Sequence, residues 1–185
     1  MTDTDAAVTL TVDPADATEL ASVAAATFPL ACPPELTPAD IAHFVSTNLT
    51  AGDFAILLAA TDHHVFKAVD PATGSIVGYS LLIDGEPTDD DVLAAVPQRP
   101  LTMVSKMYVL PGFHGGHVSA GLMSAALAHA RERGSALVWL GVNEQNLRAQ
   151  KFYRKMGFEA VGRKTFTVNG TVCHDFIFAR TPPPG

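Results

Sequence analysis

KMYVLPGFHGGHVSAGLMSAALAHARERGSALVWLGVNEQNLRAQKFYRKMGF, residues 106–158, is the stretch from which the rest of the chain is placed. KMYVL (106–110) is a compact apolar run that stops at Pro111, the pattern of a buried strand. PGFHGG (111–116) is a turn that bulky residues could not make. VSAGLMSAALAHARERG (118–134) repeats Val118, Leu122, Met123, Ala126, Leu127 and Ala130 at helical spacing, with charge gathering near its end. ALVWLGV (136–142) reads as a second short buried strand and leads into polar Asn143 and Glu144. NLRAQKFYRKMGF (146–158) is an amphipathic helix with Leu147, Ala149, Phe152, Tyr153 and Met156 as its apolar set and Gly157 as its stop.

A strand feeding a glycine-rich loop that opens a helix leaves several backbone N–H groups unpaired at one point. The helix dipole adds positive charge there, so phosphate is the natural ligand. His114-Gly115-Gly116-His117 is neither a dinucleotide fingerprint nor a Walker loop, and the turn by itself does not separate an anion site from a connector.

The following helix narrows the choice. Asn146, Ala149, Phe152, Tyr153, Gly157 and Phe158 form N-x-x-A-x-x-F-Y-x-x-x-G-F. Together with YVLP (108–111) and HGGHVSAGLM (114–123), this resembles the GNAT superfamily of acyl-CoA N-acyltransferases, over about Leu101 to Phe178 and with both long motifs in order.

The resemblance implies a mixed α/β fold whose splayed, mainly antiparallel central sheet is flanked by helices. Coenzyme A would lie in a V-shaped gap between two parallel strands, Met107–Leu110 and Val138–Val142. Backbone groups of Met107, Tyr108 and Val109 would meet the pantetheine arm, and the Val109 N–H would stabilise the oxyanion. His114, Gly115, Gly116, His117, Val118 and Ser119 would hold the pyrophosphate. The family's loop is Gln/Arg-x-x-Gly-x-Gly/Ala, so His117 stands where glycine is expected and Ser119 at the last position. Asn146 would bond the pantetheine amides, with Asn143, Ala149 and Phe152 counted beside it. Tyr153 would protonate the departing thiolate. Many members carry a glutamate base where this chain has Met103; Asp84, Glu144, His174 and Asp175 are the alternatives. His174 and Asp175 are consecutive on a strand, so only one of them faces the pocket.

The expected activity is direct transfer of the acetyl group of acetyl-CoA to an amine, on a small molecule or a protein. A CoA-binding module without transferase activity is the second reading, supported by the altered loop and by Met103; Tyr153 speaks for an enzyme. A metal at His114 and His117 lacks a third ligand.

Outward from this core, 185 residues suit one domain, able to bury roughly 70% of its unfolded surface. It divides into an acceptor-side half (1–100), the acetyl-CoA core (101–160) and a terminal hairpin (161–180). VTLTV (8–12) is a strand, and Asp13-Pro14 opens a helix over 15–28 that ends in a proline-broken loop, 28–35. Thr37-Pro38 opens another helix and FAILLAA (54–60) a third. HVFKAVD (64–70) and SIVGYSLLID (75–84) form a hairpin, and 86–100 is a loop with one helical turn begun by acidic residues. Asn169-Gly170, between VGRKTFTV and TVCHDFIFA, is a strong hairpin signal.

The net charge of −7 disfavours nucleic acid and leans towards cationic partners such as amines. No apolar run approaches the about 20 residues a membrane-spanning helix needs. MTDTDAA is acidic, unlike a secretory leader, and the 2 cysteines are too few for a disulfide framework. A cytoplasmic protein without membrane association is expected, and the resemblance admits a homodimer.

Overall fold

A computed structural model of the chain describes residues 6–114 and 117–185. Side chains start its N-terminal helices. Asp13 accepts from the Ala15 N–H at 2.9 Å and opens a 3-10 turn, Pro14–Asp16, that runs into α1 (Ala17–Ala31). Thr37 and Thr50 cap α2 (Pro38–Asn48) and α3 (Ala51–Ala59), and Asp40 and Asp53 return the bond to each cap's N–H. Helix α1 continues through Pro29, beyond the break expected after Phe28. Phe28 stacks on Phe44 of α2 with centroids 4.7 Å apart, and this contact holds the last turn against proline's disfavour.

The strands are β1 (Ala7–Thr11), β2 (His63–Val69), β3 (Ile76–Asp84), β4 (Leu101–Val109), β5 (Leu137–Asn143), β6 (Glu159–Val168) and β7 (Thr171–Arg180). Between them lie α4 (Asp90–Ala95), α5 (His117–Glu132) and α6 (Leu147–Lys155). One sheet of order β1-β2-β3-β4-β5-β7-β6 results, antiparallel at every step except β4–β5. This is the expected splayed, mainly antiparallel sheet. Helix α5 covers one face through Val118, Leu122, Met123, Ala126, Leu127 and Ala130, the periodic set read from the sequence. Helices α1 and α3 cover the other through Leu20, Ala24, Phe54 and Leu58. Among the described residues no single helix is long and apolar enough to cross a membrane.

Three local outcomes position the site. Strand β4 begins at Leu101, five residues before the apolar run suggested, because Leu101–Met103 pair with β5 while Thr102 and Met103 also pair with β3. Pairing of β3 with β4 slips between Leu81 and Leu82, whose partners are Lys106 and Val104, so Ser105 is an unpaired bulge residue. Asn169 (φ 46°) and Gly170 (φ 84°) both take positive φ in the β6–β7 turn, and the Asn169 amide donates to Asp40 at 2.6 Å, seating the hairpin against α2.

Candidate active site

Parallel pairing of β4 with β5 covers only Leu101–Leu137, Thr102–Val138 and Met103–Trp139. Beyond Met103 the two strands part. β4 stays on β3, while β5 from Leu140 to Asn143 follows β7. A cavity of about 610 Å³ occupies the opening.

The direction of the backbone groups follows from the ladder. Leu110 donates its N–H to the Val77 carbonyl at 2.8 Å. Bonded residues alternate along an antiparallel pair, so Tyr108 is tied to Tyr79, while Met107 and Val109 turn their N–H and C=O groups towards the gap. The Tyr108 carbonyl lies 3.0 Å from where a Cβ on Gly78 would stand, in keeping with its turn towards β3. Of the three residues expected to offer backbone groups to pantetheine, Met107 and Val109 present them; Tyr108 faces the cavity by its side chain.

Met107, Tyr108, Val109, His114, Ser119, Asn143, Asn146, Ala149, Phe152 and Tyr153 all line this cavity. Val118 turns its side chain into the core at 8% exposure, leaving only its backbone for an anion. His117, exposed, is the first residue of α5. Gly115 and Gly116, the remaining residues of the expected pyrophosphate loop, lie outside the described residues. Asn146 accepts from the Ala149 N–H at 3.1 Å and so caps α6.

The lining is strongly cationic. Five of the chain's 12 Lys and Arg are on it (Lys106, Arg148, Lys151, Lys155 and Lys164) against Asp175, one of 19 acidic residues. The local sign therefore opposes the net charge of −7, and the cavity suits an anion, as the phosphates of coenzyme A require. The spacing of Arg148, Lys151 and Lys155 along one face of α6 was a sequence signal for this stripe, outweighed there by the apolar pattern.

Burial pushes the Tyr153 phenol up to about 12 and raises that of Tyr108 as well, so Tyr153 keeps its proton at neutral pH. Burial also raises the Asp175 carboxyl; nearby Glu144 adds to this, and Lys164 pulls it back. Lys106 has its ammonium destabilised by burial. The alternation expected of His174 and Asp175 resolves in favour of Asp175, which faces the cavity, while His174 is exposed. Glu144 pairs with Arg163 outside the cavity lining. Asp84 lies at the other end of β3, bonded to Thr102, His64 and Arg133. Met103, on the last β4–β5 pair, lines the cavity where the strands begin to part.

Helix α6 departs from its apolar pattern. Leu147 is 72% exposed, whereas Gln150 is buried at 3% and donates to the carbonyls of Asn143 and Glu144 at 3.2 and 2.9 Å. The buried amide fastens α6 to the end of β5.

A sheet of this order, opened between two parallel strands beside a helix N-terminus, defines an acyl-CoA-binding transferase fold. The Acetyltransferase (GNAT) family model matches residues 31–158, and the chain belongs to that family. It is an acyl-CoA-dependent acetyltransferase with acetyl-CoA as cosubstrate. An uncharacterized N-acetyltransferase of Mycobacterium tuberculosis is 43% identical over 165 residues, covering 89% of this chain and 97% of that one. In fold, the chain is similar to PaiA N-acetyltransferase from Thermoplasma acidophilum, solved in complex with coenzyme A (TM-score 0.73, 15% identity, 95% of this chain and 99% of that one). It is also similar to Arabidopsis thaliana NAA60, solved in complex with acetyl-CoA (TM-score 0.68, 14% identity, 95% and 98% covered).

Proposed function

We propose that this acetyltransferase passes the acetyl group of acetyl-CoA directly to an amine whose body is apolar. The carrying observation is the gap beyond Met103 and Trp139, where Val109 turns its N–H into the same cavity that Tyr153 and Asp175 line. Bound there, acetyl-CoA supplies an activated thioester carbonyl. Asp175 takes a proton from the acceptor nitrogen, its raised basicity suiting it to the task. The Val109 N–H donates to the carbonyl oxygen as charge gathers on it. As the C–N bond forms and the C–S bond breaks, Tyr153 gives its proton to the departing sulfur. Asp175 and Tyr153 then return to their starting states by exchange with solvent.

The two cysteines of the cavity support transfer without an acyl-enzyme. Burial pushes the Cys32 thiol up to about 11 and raises Cys173 as well, so neither of the cavity's cysteines is poised as a thiolate. Both are free, which supports a cytoplasmic location. Support for an apolar acceptor comes from the aromatic part of the cavity lining, where Phe28 stacks on Phe44 and Phe166 meets Phe44 edge-on at 6.3 Å. The proposal extends to a homodimer, supported by Val161 and Val172 exposed on the terminal hairpin and checked by sedimentation.

The test is calorimetric titration with acetyl-CoA, free CoA and ATP, followed by thiol release with a panel of amines. Acetyl-CoA should bind far more tightly than ATP, and amines on aromatic or aliphatic bodies should release thiol fastest. Tight binding with no thiol release from any amine would refute transfer to an amine.

A further inference from the structure

At the Asp84 end of β3, outside the cavity lining, His64 of β2, Asp84 of β3 and His129 of α5 bring one ligand atom each within 4.8 Å of one another. Thr102, which bonds Asp84, stands seven residues before Val109 on β4, roughly 23 Å along a strand. We propose that these three side chains form a site for a divalent transition metal of the zinc, cobalt and nickel type, separate from the acetyl-transfer chemistry.

The donor set argues for that class of ion. Two imidazoles and one carboxylate suit zinc and its neighbours, whereas magnesium and calcium take oxygen ligands. The geometry is already close. The His64 and His129 rings have centroids 4.4 Å apart, and His64 Nε2 lies 2.9 Å from Asp84 Oδ2. A second, independent observation is the state of His129. Its Nε2 is buried with no hydrogen-bond partner among the described residues, which is costly for a polar atom and is relieved by a metal.

The surroundings have the character of an outer shell. Thr102 donates its hydroxyl to Asp84 Oδ1 at 2.8 Å and lies 2.5 Å from the Ser135 hydroxyl, fixing the carboxylate plane. Arg133 bonds Asp84 Oδ2, the oxygen His64 also uses, so the guanidinium competes with the metal for that atom. Its side chain is 46% exposed and has solvent to turn into. With three protein ligands, a fourth position is left for water. Occupied, the site would clip the C-terminal end of α5 to the β2–β3 hairpin, since its ligands come from those three elements.

The full chain, freed of metal by a chelator, is titrated with ZnCl2 and CoCl2, with MgCl2 as control. The expected result is one equivalent of bound Co2+ with the visible absorption of a tetrahedral site. Zn2+ at a hundredfold excess over its Kd should raise Tm by about 5–10 °C. Both signals should vanish in the His64→Ala/His129→Ala double variant, whose folding is checked by acetyl-CoA binding at the cavity, which neither histidine lines. Both should persist in His114→Ala/His117→Ala and in His63→Ala. Arg133→Ala should tighten binding by removing the competitor. Undiminished binding in the His64/His129 variant, or loss in either of the other histidine variants, would overturn the assignment.

Discussion

Replacing Asp175 by Asn separates catalysis from structure at one atom pair. The amide keeps the shape of the carboxylate but cannot accept the acceptor's proton. General-base assistance contributes about 10²- to 10⁴-fold. Asp175 is the one carboxylate on the cavity lining among the described residues, so the expected loss sits in the upper half of that range. A fall of about 10³- to 10⁴-fold in kcat/KM corresponds to about 4–5.5 kcal/mol of lost transition-state stabilisation. Stability should move differently. Burial lifts the folded-state pKa above the unfolded value, so the folded form is favoured when this group is protonated and loses that advantage as pH rises through the folded pKa. Asn carries no such charge, and the variant should be at least as stable as the parent at neutral pH. Activity in the parent should rise with pH along a limb above the ordinary carboxylate range, and that limb should flatten in the variant. Thiol release across pH, with calorimetric acetyl-CoA binding as control, reads all three quantities. An unchanged kcat/KM with the acidic limb intact would remove Asp175 from the chemistry.

Four further substitutions probe the proton donor, the electrostatics of Asp175, the β3–β4 contact and a helix cap. Tyr153→Phe keeps the ring among Phe152, Phe158 and Phe178, so Tm should hold while turnover drops about 10²- to 10⁴-fold; a full rate would show that the hydroxyl is not the proton donor. Lys164→Met removes a charge that lowers the Asp175 pKa, so the acidic limb of the pH–rate profile should move to higher pH; a move to lower pH would contradict the electrostatics. Gly78→Ala puts a Cβ 3.0 Å from the Tyr108 carbonyl and 3.1 Å from Val109 Cγ2, and should cost about 1–3 kcal/mol in denaturant unfolding while weakening acetyl-CoA binding. Thr50→Ala breaks the cap of α3 and should cost about 1 kcal/mol, roughly 2–4 °C in Tm, with kcat unaltered.

Much of the candidate cavity lining was legible because its residues lie close in sequence and repeat with a period. The α5 stripe and the Asn146-to-Phe158 pattern each carry their geometry locally. What escaped was decided by partners far along the chain. Thr102 reads as a polar interruption, yet it is fully buried because Asp84 and Ser135 satisfy its hydroxyl, and this lets β4 start at Leu101. Leu147, expected in the apolar set, is exposed while Gln150 is buried, because hydrogen bonds to two carbonyls outweigh the burial of one leucine, which no hydrophobic period records. The cationic lining draws on β4, α6 and β6 together, so neither the net charge nor any one segment displayed it.

Three residue pairs joining β4 to β5 give the sheet the mechanics of two plates on a short hinge. One plate is β1 to β4; the other is β5, β7 and β6. Past Met103 the plates share side-chain packing, with Val104, Leu140 and Phe178 in one cluster, but no ladder. A ligand arm spanning the opening stands where the missing rungs would be and acts as a strut. Amide exchange should register this as slowed opening at Met107 and Val109 once the gap is bridged, with little change at Leu101 to Met103, where the hinge is already closed.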